Sequence, residues 1–138
     1  MKKLLLTAAA LLLVAGATFG QTLQKGNLLG FHVVTVELNP DVTMEQFQEF
    51  YISKVIPEFE KNFPGWKGYS VKGIRGENEN SFGMIWVMKS EEHRDKYFNE
   101  DGGLNELGTA TWEKANPVLE ELEKLGTYTS TYTDWVIQ

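Results

Sequence analysis

From Phe31 to Leu38 the chain alternates, with His32, Val34, Val36 and Leu38 on one side and Phe31, Val33, Thr35 and Glu37 on the other. Period-two alternation in a β-branched run predicts a first strand. Asn39-Pro40-Asp41 stops it, and Gln21 to Leu29 before it reads as a loosely held polar leader. At Thr43 the period changes. Phe47, Phe50, Tyr51, Val55 and Phe59 recur three and four residues apart, which makes the apolar stripe of a helix lying on a sheet. Thr43 with Gln46 three residues later forms a capping box at its start, and Glu45 suits its first turn. Pro57 inside the stripe predicts a kink, and Pro64-Gly65 ends the helix.

Trp66 to Arg75 reads as a second strand, weakened by Gly68 and Gly73 in a way that suits an edge or a bulge. A polar turn, Gly76 to Asn80, then leads as a hairpin into Phe82 to Lys89, FGMIWVMK. This is the most apolar run outside the N-terminus and is expected to be the central strand. Ser90 caps the next helix, with Glu91 and Glu92 in its positive first turn and Tyr97 and Phe98 as apolar contacts. Asn99 to Gly103 breaks that helix. Beyond the break, Trp112, Ala115, Leu119, Leu122 and Leu125 share one helical face as far as Gly126, with Pro117 a second point of irregularity. Thr127 to Ile137, dense in threonine and aromatics, is the last strand.

The order strand, helix, strand, strand, helix, strand is the split βαβ pattern of an α+β, ferredoxin-like βαββαβ fold. It implies one four-stranded antiparallel sheet with the helices on one face and the second helix interrupted. The opposite face then lacks a cover. Strands one and three are apolar on both sides, so that face needs a partner, and a second copy of the chain is the simplest one.

Residues 1–20 stand apart. Lys2 and Lys3, the apolar run Leu4 to Val14 and the small-residue stretch Ala15 to Gly20 have the layout of a secretory signal peptide, with cleavage expected after Gly20. This points to a periplasmic or secreted protein whose residues 21–138 form a single domain. Without Lys2 and Lys3 the chain carries 11 basic and 19 acidic residues, a net charge of −8, and no basic stripe. Nucleic acid is therefore not expected as a partner, nor a membrane after cleavage. With no cysteine there is neither a disulfide nor a lipid-anchor thiol, so stability must come from the core or from oligomerisation.

The chemistry-bearing residues are few. Of the two histidines, His32 lies on the same strand face as Val34, Val36 and Leu38. The start of strand one should run antiparallel to the end of strand four, which brings His32 near Asp134 or Val136. A His32–Asp134 pair would be an oriented acid–base group, whereas a half-buried, satisfied histidine at a strand end would be structural; the pattern allows both. His93, one turn into a helix between Glu92 and Arg94, reads as a solvated surface position. No metal-ligand spacing, calcium loop, nucleophile elbow or phosphate-binding glycine loop is present, so neither metal nor cofactor is expected. The aromatics are the stronger signal. Tyr51, Trp86, Trp112, Tyr128 and Tyr132 are placed to line a cavity beneath the helices suited to a flat apolar or phenolic ligand, or else to fill the core and a dimer interface. The interruption from Asn99 to Thr111 lies where a lid or a plain surface loop would sit.

Three stretches carry a family resemblance: Lys54-Val55-Ile56-Pro57-Glu58-Phe59 leading to Pro64-Gly65-Trp66, Ser90 to Phe98, and the closing Tyr132-Thr133-Asp134-Trp135-Val136-Ile137. With the element order they resemble the dimeric α/β-barrel superfamily, in which two ferredoxin-like subunits press their sheets together. Within it the chain is similar to antibiotic-biosynthesis-monooxygenase-like members and their uncharacterised secreted relatives. The resemblance implies a homodimer and a pocket between sheet and helices. Haem-degrading members use an Asn, a Trp and a late second-helix His. Trp86 could stand for the Trp, but Trp112 to Lys124 holds no histidine, which argues against haem. The expectation is therefore an exported dimeric protein that binds a small apolar or aromatic molecule. The alternatives are a cofactor-independent monooxygenase-like enzyme acting on an aromatic substrate, in which His32, Trp86 and Tyr132 orient it, and a non-catalytic interaction protein with a filled core.

Overall fold

The computed structural model describes residues 22–138. The signal peptide expected at residues 1–20 lies outside them. Four strands, β1 (Leu28–Leu38), β2 (Lys67–Lys72), β3 (Phe82–Met88) and β4 (Gly126–Val136), form one antiparallel sheet in the order β2-β3-β1-β4. The fold is ferredoxin-like. Two interrupted helical segments follow β1 and β3, and both lie on one face. The run from Phe82 is central as expected, bonded to β1 on one side and β2 on the other.

The first helical segment is α1 (Met44–Phe50), a π-helical turn (Tyr51–Val55) and α2 (Ile56–Asn62). Thr43 and Gln46 form the expected capping box, with Gln46 N–H donating to Thr43 Oγ1 at 3.2 Å and Thr43 N–H to Gln46 Oε1 at 2.8 Å. The irregularity expected at Pro57 takes the form of the π turn. Proline offers no N–H to the preceding turn, and the ladder ahead of it widens so that Ile56 N–H donates to Tyr51 O. Phe47, Tyr51, Val55 and Phe59 all turn inward and are buried. After β3 come α3 (Glu91–Asp95), α4 (Glu106–Trp112), a 3₁₀ turn (Glu113–Ala115) and α5 (Asn116–Glu123). Pro117 falls in the first turn of α5, where its missing N–H breaks no intrahelical bond.

Three boundaries and one burial expectation need correction. Leu28 and Leu29 belong to β1, because the Leu28 side chain is fully buried and two bonds, Gly26 N–H to Ile137 O and Ile137 N–H to Asn27 O, tie the approach to β1 to the end of β4. β2 stops at Lys72, where Gly73 leaves the ladder for a turn through Ser81 closed by Asn80 N–H to Gly73 O at 2.7 Å. The interruption does not extend to Thr111: Asn105 Oδ1 accepts from Gly108 N–H at 2.9 Å and starts α4. His93 is half-buried, not solvated, because its ring packs over Gly65, whose positive φ of 88° turns the chain beneath it.

Side chains alternate across the sheet. Leu28, Val34, Phe82, Met84, Trp86 and Met88 face the helices and join Phe47, Val55, Phe59, Ala115 and Leu122 in the core. The opposite face carries Tyr69, Val71, Ile85, Phe31, Val33 and Trp135, of which Tyr69, Phe31 and Trp135 are exposed. The edge strand β2 is tied to α2 by Glu60, whose carboxylate accepts from Gly68 N–H at 3.0 Å and from Lys67 Nζ at 2.8 Å.

Gly68 also shows how tightly this end is packed. A Cβ there would lie 2.7 Å from Trp86 Cζ3 and 2.8 Å from Ile56 Cγ2. Gly68→Ala should therefore destabilise the fold by about 1–3 kcal/mol, the usual cost of overpacking a well-filled core, measured as a lowered denaturant midpoint. An unchanged midpoint would mean that Trp86 has room to retreat.

Candidate functional site

Between the helices and the sheet lies a cavity of about 530 Å³, within the range that holds a small organic ligand. Its floor is the inward face of β3 (Met84, Trp86, Met88) with Gly30 and His32 of β1. Tyr51, Phe59 and Trp112 descend from the helices, and Trp66 and Phe98 close one side. The open end is polar, formed by Ser130, Tyr132 and Asp134 of β4, Arg94 of α3 and the turn from Asn99 to Gly102. All seven residues singled out from the sequence line this one space: His32, Asp134, Tyr51, Trp86, Trp112, Tyr128 and Tyr132.

The rings form a continuous wall. Phe59 meets Trp112 edge-on at 4.7 Å between centroids and Trp86 at 5.8 Å, and Trp66 stacks on Phe63 at 4.6 Å. Tyr51 stands perpendicular to Tyr128 at 6.0 Å. Burial drives the Tyr51 phenol well above the ordinary tyrosine value, and the adjacent Tyr128 adds to this; burial raises Tyr128 as well, against the pull of Tyr51. Both phenols stay neutral across the physiological range. The Trp66 indole N–H is buried with no acceptor among the described residues, an unmet donor at the cavity wall.

The polar end departs from the sequence expectation in one respect. The β1–β4 register sets His32 opposite Tyr132, Gly30 opposite Asp134 and Leu28 opposite Val136. His32 thus stacks on Tyr132, with centroids 5.4 Å apart, and its Nδ1 lies 3.2 Å from Ser130 Oγ. Asp134 makes no hydrogen bond to His32. One carboxylate oxygen is ion-paired with Arg94, which also donates to Asp95 at 2.7 Å. The reason is a register offset of two residues, which places the two side chains diagonally on the sheet. Asp134 still acts on the imidazole through space. Burial lowers the His32 pKa below its ordinary value, and the Asp134 charge opposes that shift. Burial would also lower the Arg94 pKa, but Asp95 and Asp134 hold it above its ordinary value.

Arg94, Ser130 and Gly30 were not foreseen. Two of them were within reach of the sequence, since Ser130 and Gly30 lie two residues from Tyr132 and His32 and share their strand faces. Arg94 arrives from a separate helix, and no local pattern marks it. Among the described residues no group of three or more His, Asp or Glu side chains could hold a metal ion.

No protein-family model matches this chain, and no curated protein does. Among solved structures the chain is similar to SnoaB, a cofactor-independent oxygenase from Streptomyces nogalater, at 14% identity over 82% of this chain and 94% of that one, with a TM-score of 0.46. It is also similar to a dimeric protein of unknown function and ferredoxin-like fold from Bacteroides fragilis NCTC 9343, at 12% identity over 79% of this chain and 96% of that one, with a TM-score of 0.35. Overlaps this loose carry no argument about activity; the fold itself rests on the strand order and register above.

Both histidines carry lowered pKa values, His93 through burial first and then Lys96 and Lys89, with the Pro64 carbonyl opposing. Well above the ordinary value of 6.5 they are neutral in folded and unfolded chains alike, so pH does not act through them there. Below it the unfolded chain takes up protons first, and stability is lost as the pH falls. The melting temperature should drop between about pH 7 and about pH 5.5, and a His32→Gln, His93→Gln double variant should flatten that drop. A drop of the same size in the double variant would assign it to the carboxylates.

Proposed function

We propose that this protein binds a small apolar or aromatic molecule in the cavity between sheet and helices. The observation that carries this reading is the 530 Å³ space itself, walled by Trp86, Trp112, Phe59 and Tyr51 and opening through a polar rim. An apolar cavity with a few convergent polar groups is the usual form of a small-molecule site. It also weighs against an interaction protein with a filled core.

The direct test is titration with N-phenyl-1-naphthylamine, whose fluorescence rises in apolar surroundings. Saturable binding is expected, with a dissociation constant of about 1–100 μM by analogy with unoptimised apolar ligands. Ser130→Phe, which puts a ring into the cavity from a strand-surface position, should abolish the signal while leaving the melting curve intact. Binding that survives in this variant would move the site elsewhere.

A second reading has its own support. His32 is held by Ser130 through Nδ1, faces the cavity and is kept neutral at physiological pH by burial, the properties of a general base. On this reading the protein is a cofactor-independent, monooxygenase-like enzyme acting on an aromatic substrate. Oxygen uptake with a phenolic substrate and no added cofactor, lost in His32→Ala, separates enzyme from binding protein.

We further propose that the protein is exported and pairs as a homodimer through the bare sheet face. Phe31, Tyr69 and Trp135, 39%, 46% and 61% exposed, are large apolar groups on that one face. Such a patch on a water-facing sheet favours a partner. Sedimentation should give a dimer, and Phe31→Asp should shift it to monomer with the melting curve of the monomer preserved. A wild-type monomer at micromolar concentration would remove the dimer.

A further inference from the structure

Gly30 sits at the floor of the cavity's polar end, opposite Asp134 on β4 and Trp86 on β3. The point where a Cβ would stand at Gly30 is 3.4 Å from Asp134 Oδ1, 3.8 Å from His32 Nε2 and 3.5 Å from Met88 Cε. With no Cβ at Gly30, the gap that one would fill is left open on the cavity side and is bordered by both polar atoms. Each of those groups already has its other end fixed. Arg94 holds Asp134 through Oδ2, and Ser130 holds His32 through Nδ1, which leaves Oδ1 and Nε2 converging on the space above Gly30.

We propose that Gly30 makes the cavity selective for ligands that end in a hydroxyl, which docks in this notch by donating to Asp134 Oδ1 and meeting His32 Nε2. The proposal rests on the ligand-binding reading above and adds to it the orientation and the head group. A hydroxyl carries one proton and two lone pairs, so it donates that proton to the carboxylate and accepts from Nε2–H in the tautomer whose Nδ1 accepts from Ser130. A ligand carboxylate would face the Asp134 charge. An ammonium would share that carboxylate with the Arg94 guanidinium, which already neutralises it. An ether or a methyl has no proton for Oδ1 and would leave it desolvated and unpaired. Arg94 acts here as a positioning residue, since it sets which carboxylate oxygen faces the notch.

The test compares three probes of one body on the whole protein: 2-naphthol, its isostere 2-methylnaphthalene, and the cationic 2-(aminomethyl)naphthalene. Gly30→Ala is the decisive variant. Its methyl fits at ordinary contact distances on an extended strand, so the fold should hold, checked by an unchanged or raised melting temperature. The wild type should bind 2-naphthol about tenfold more tightly than 2-methylnaphthalene, the worth of one hydrogen bond to a charged group. Gly30→Ala should reduce that preference to less than about twofold, with 2-methylnaphthalene affinity retained. Asp134→Asn, which keeps the shape and removes the charge, should also lower the preference, and provides the readout if Gly30→Ala proves unstable.

The outcomes separate the two claims. Equal affinity of the wild type for 2-naphthol and 2-methylnaphthalene overturns the notch and leaves the cavity as a site. A preference for the ammonium probe overturns the head group assigned here. A hydroxyl preference that persists in Gly30→Ala takes the notch away from Gly30. Failure of every probe to bind the wild type overturns the cavity reading together with the notch.

Discussion

A strand presents alternate side chains to opposite faces, and two helical segments can cover only one face of a four-stranded sheet. Most of what distinguishes this chain follows from that constraint. The helices and the inward residues of β3 make a ring-rich core, while Phe31, Tyr69 and Trp135 on the outward face are left exposed. Trp86 and Val87, or Asp134 and Trp135, are neighbours in sequence and strangers in space. A one-residue slip of β1 against β4 would exchange the two sets and bury Thr133 and Thr131 where Asp134 and Tyr132 now line the cavity.

The cavity exists because the aromatic residues crowd one end of the covered face. Phe59, Phe63, Trp66, Trp86, Trp112 and Tyr97 pack edge-on and stacked over β2 and β3. Flat rigid rings satisfy one another's edges and faces but cannot bend to fill a remote corner. Over the far half of β1 and β4 the inward positions are Gly30, His32, Ser130, Tyr132 and Asp134, of which only the Tyr132 ring is large, and it is taken up by stacking on His32. The π turn at Tyr51 contributes as well, since widening the helix ahead of Pro57 carries the Tyr51 ring in against Phe82 and Tyr128.

Period and punctuation made the fold legible. The alternation of Phe31 to Leu38, the capping box at Thr43 and the apolar run at Phe82 each record a local requirement, and together they leave few topologies. The aromatic wall was legible for the same reason: Tyr51 lies on a helical stripe, and Tyr128 and Tyr132 share one strand face. The His32–Asp134 pairing was legible only to within two residues. Which strand neighbours which follows from topology, but the register depends on where Gly126 and Leu38 meet, and no sequence pattern fixes that. Arg94 was out of reach altogether, because its partnership with Asp134 joins two elements forty residues apart. The solvated reading of His93 failed on a related ground: the ring is covered by Gly65, a turn residue from the other helical segment.

The same alternation keeps the two proposed surfaces of this protein apart. Residues of even number on β1 and β4 face the cavity, and those of odd number face the bare sheet surface. A ligand at Gly30 and a second copy at Phe31 would therefore meet opposite sides of one strand a single residue apart. They would share the backbone ladder of β1 and no side chain. Any coupling between ligand binding and pairing would have to pass through the twist or register of β1 itself, which β3 and β4 hold from both sides over Leu28 to Val34. A strand bonded on both edges yields little, so binding and assembly are expected to be close to independent, each free to fail without the other.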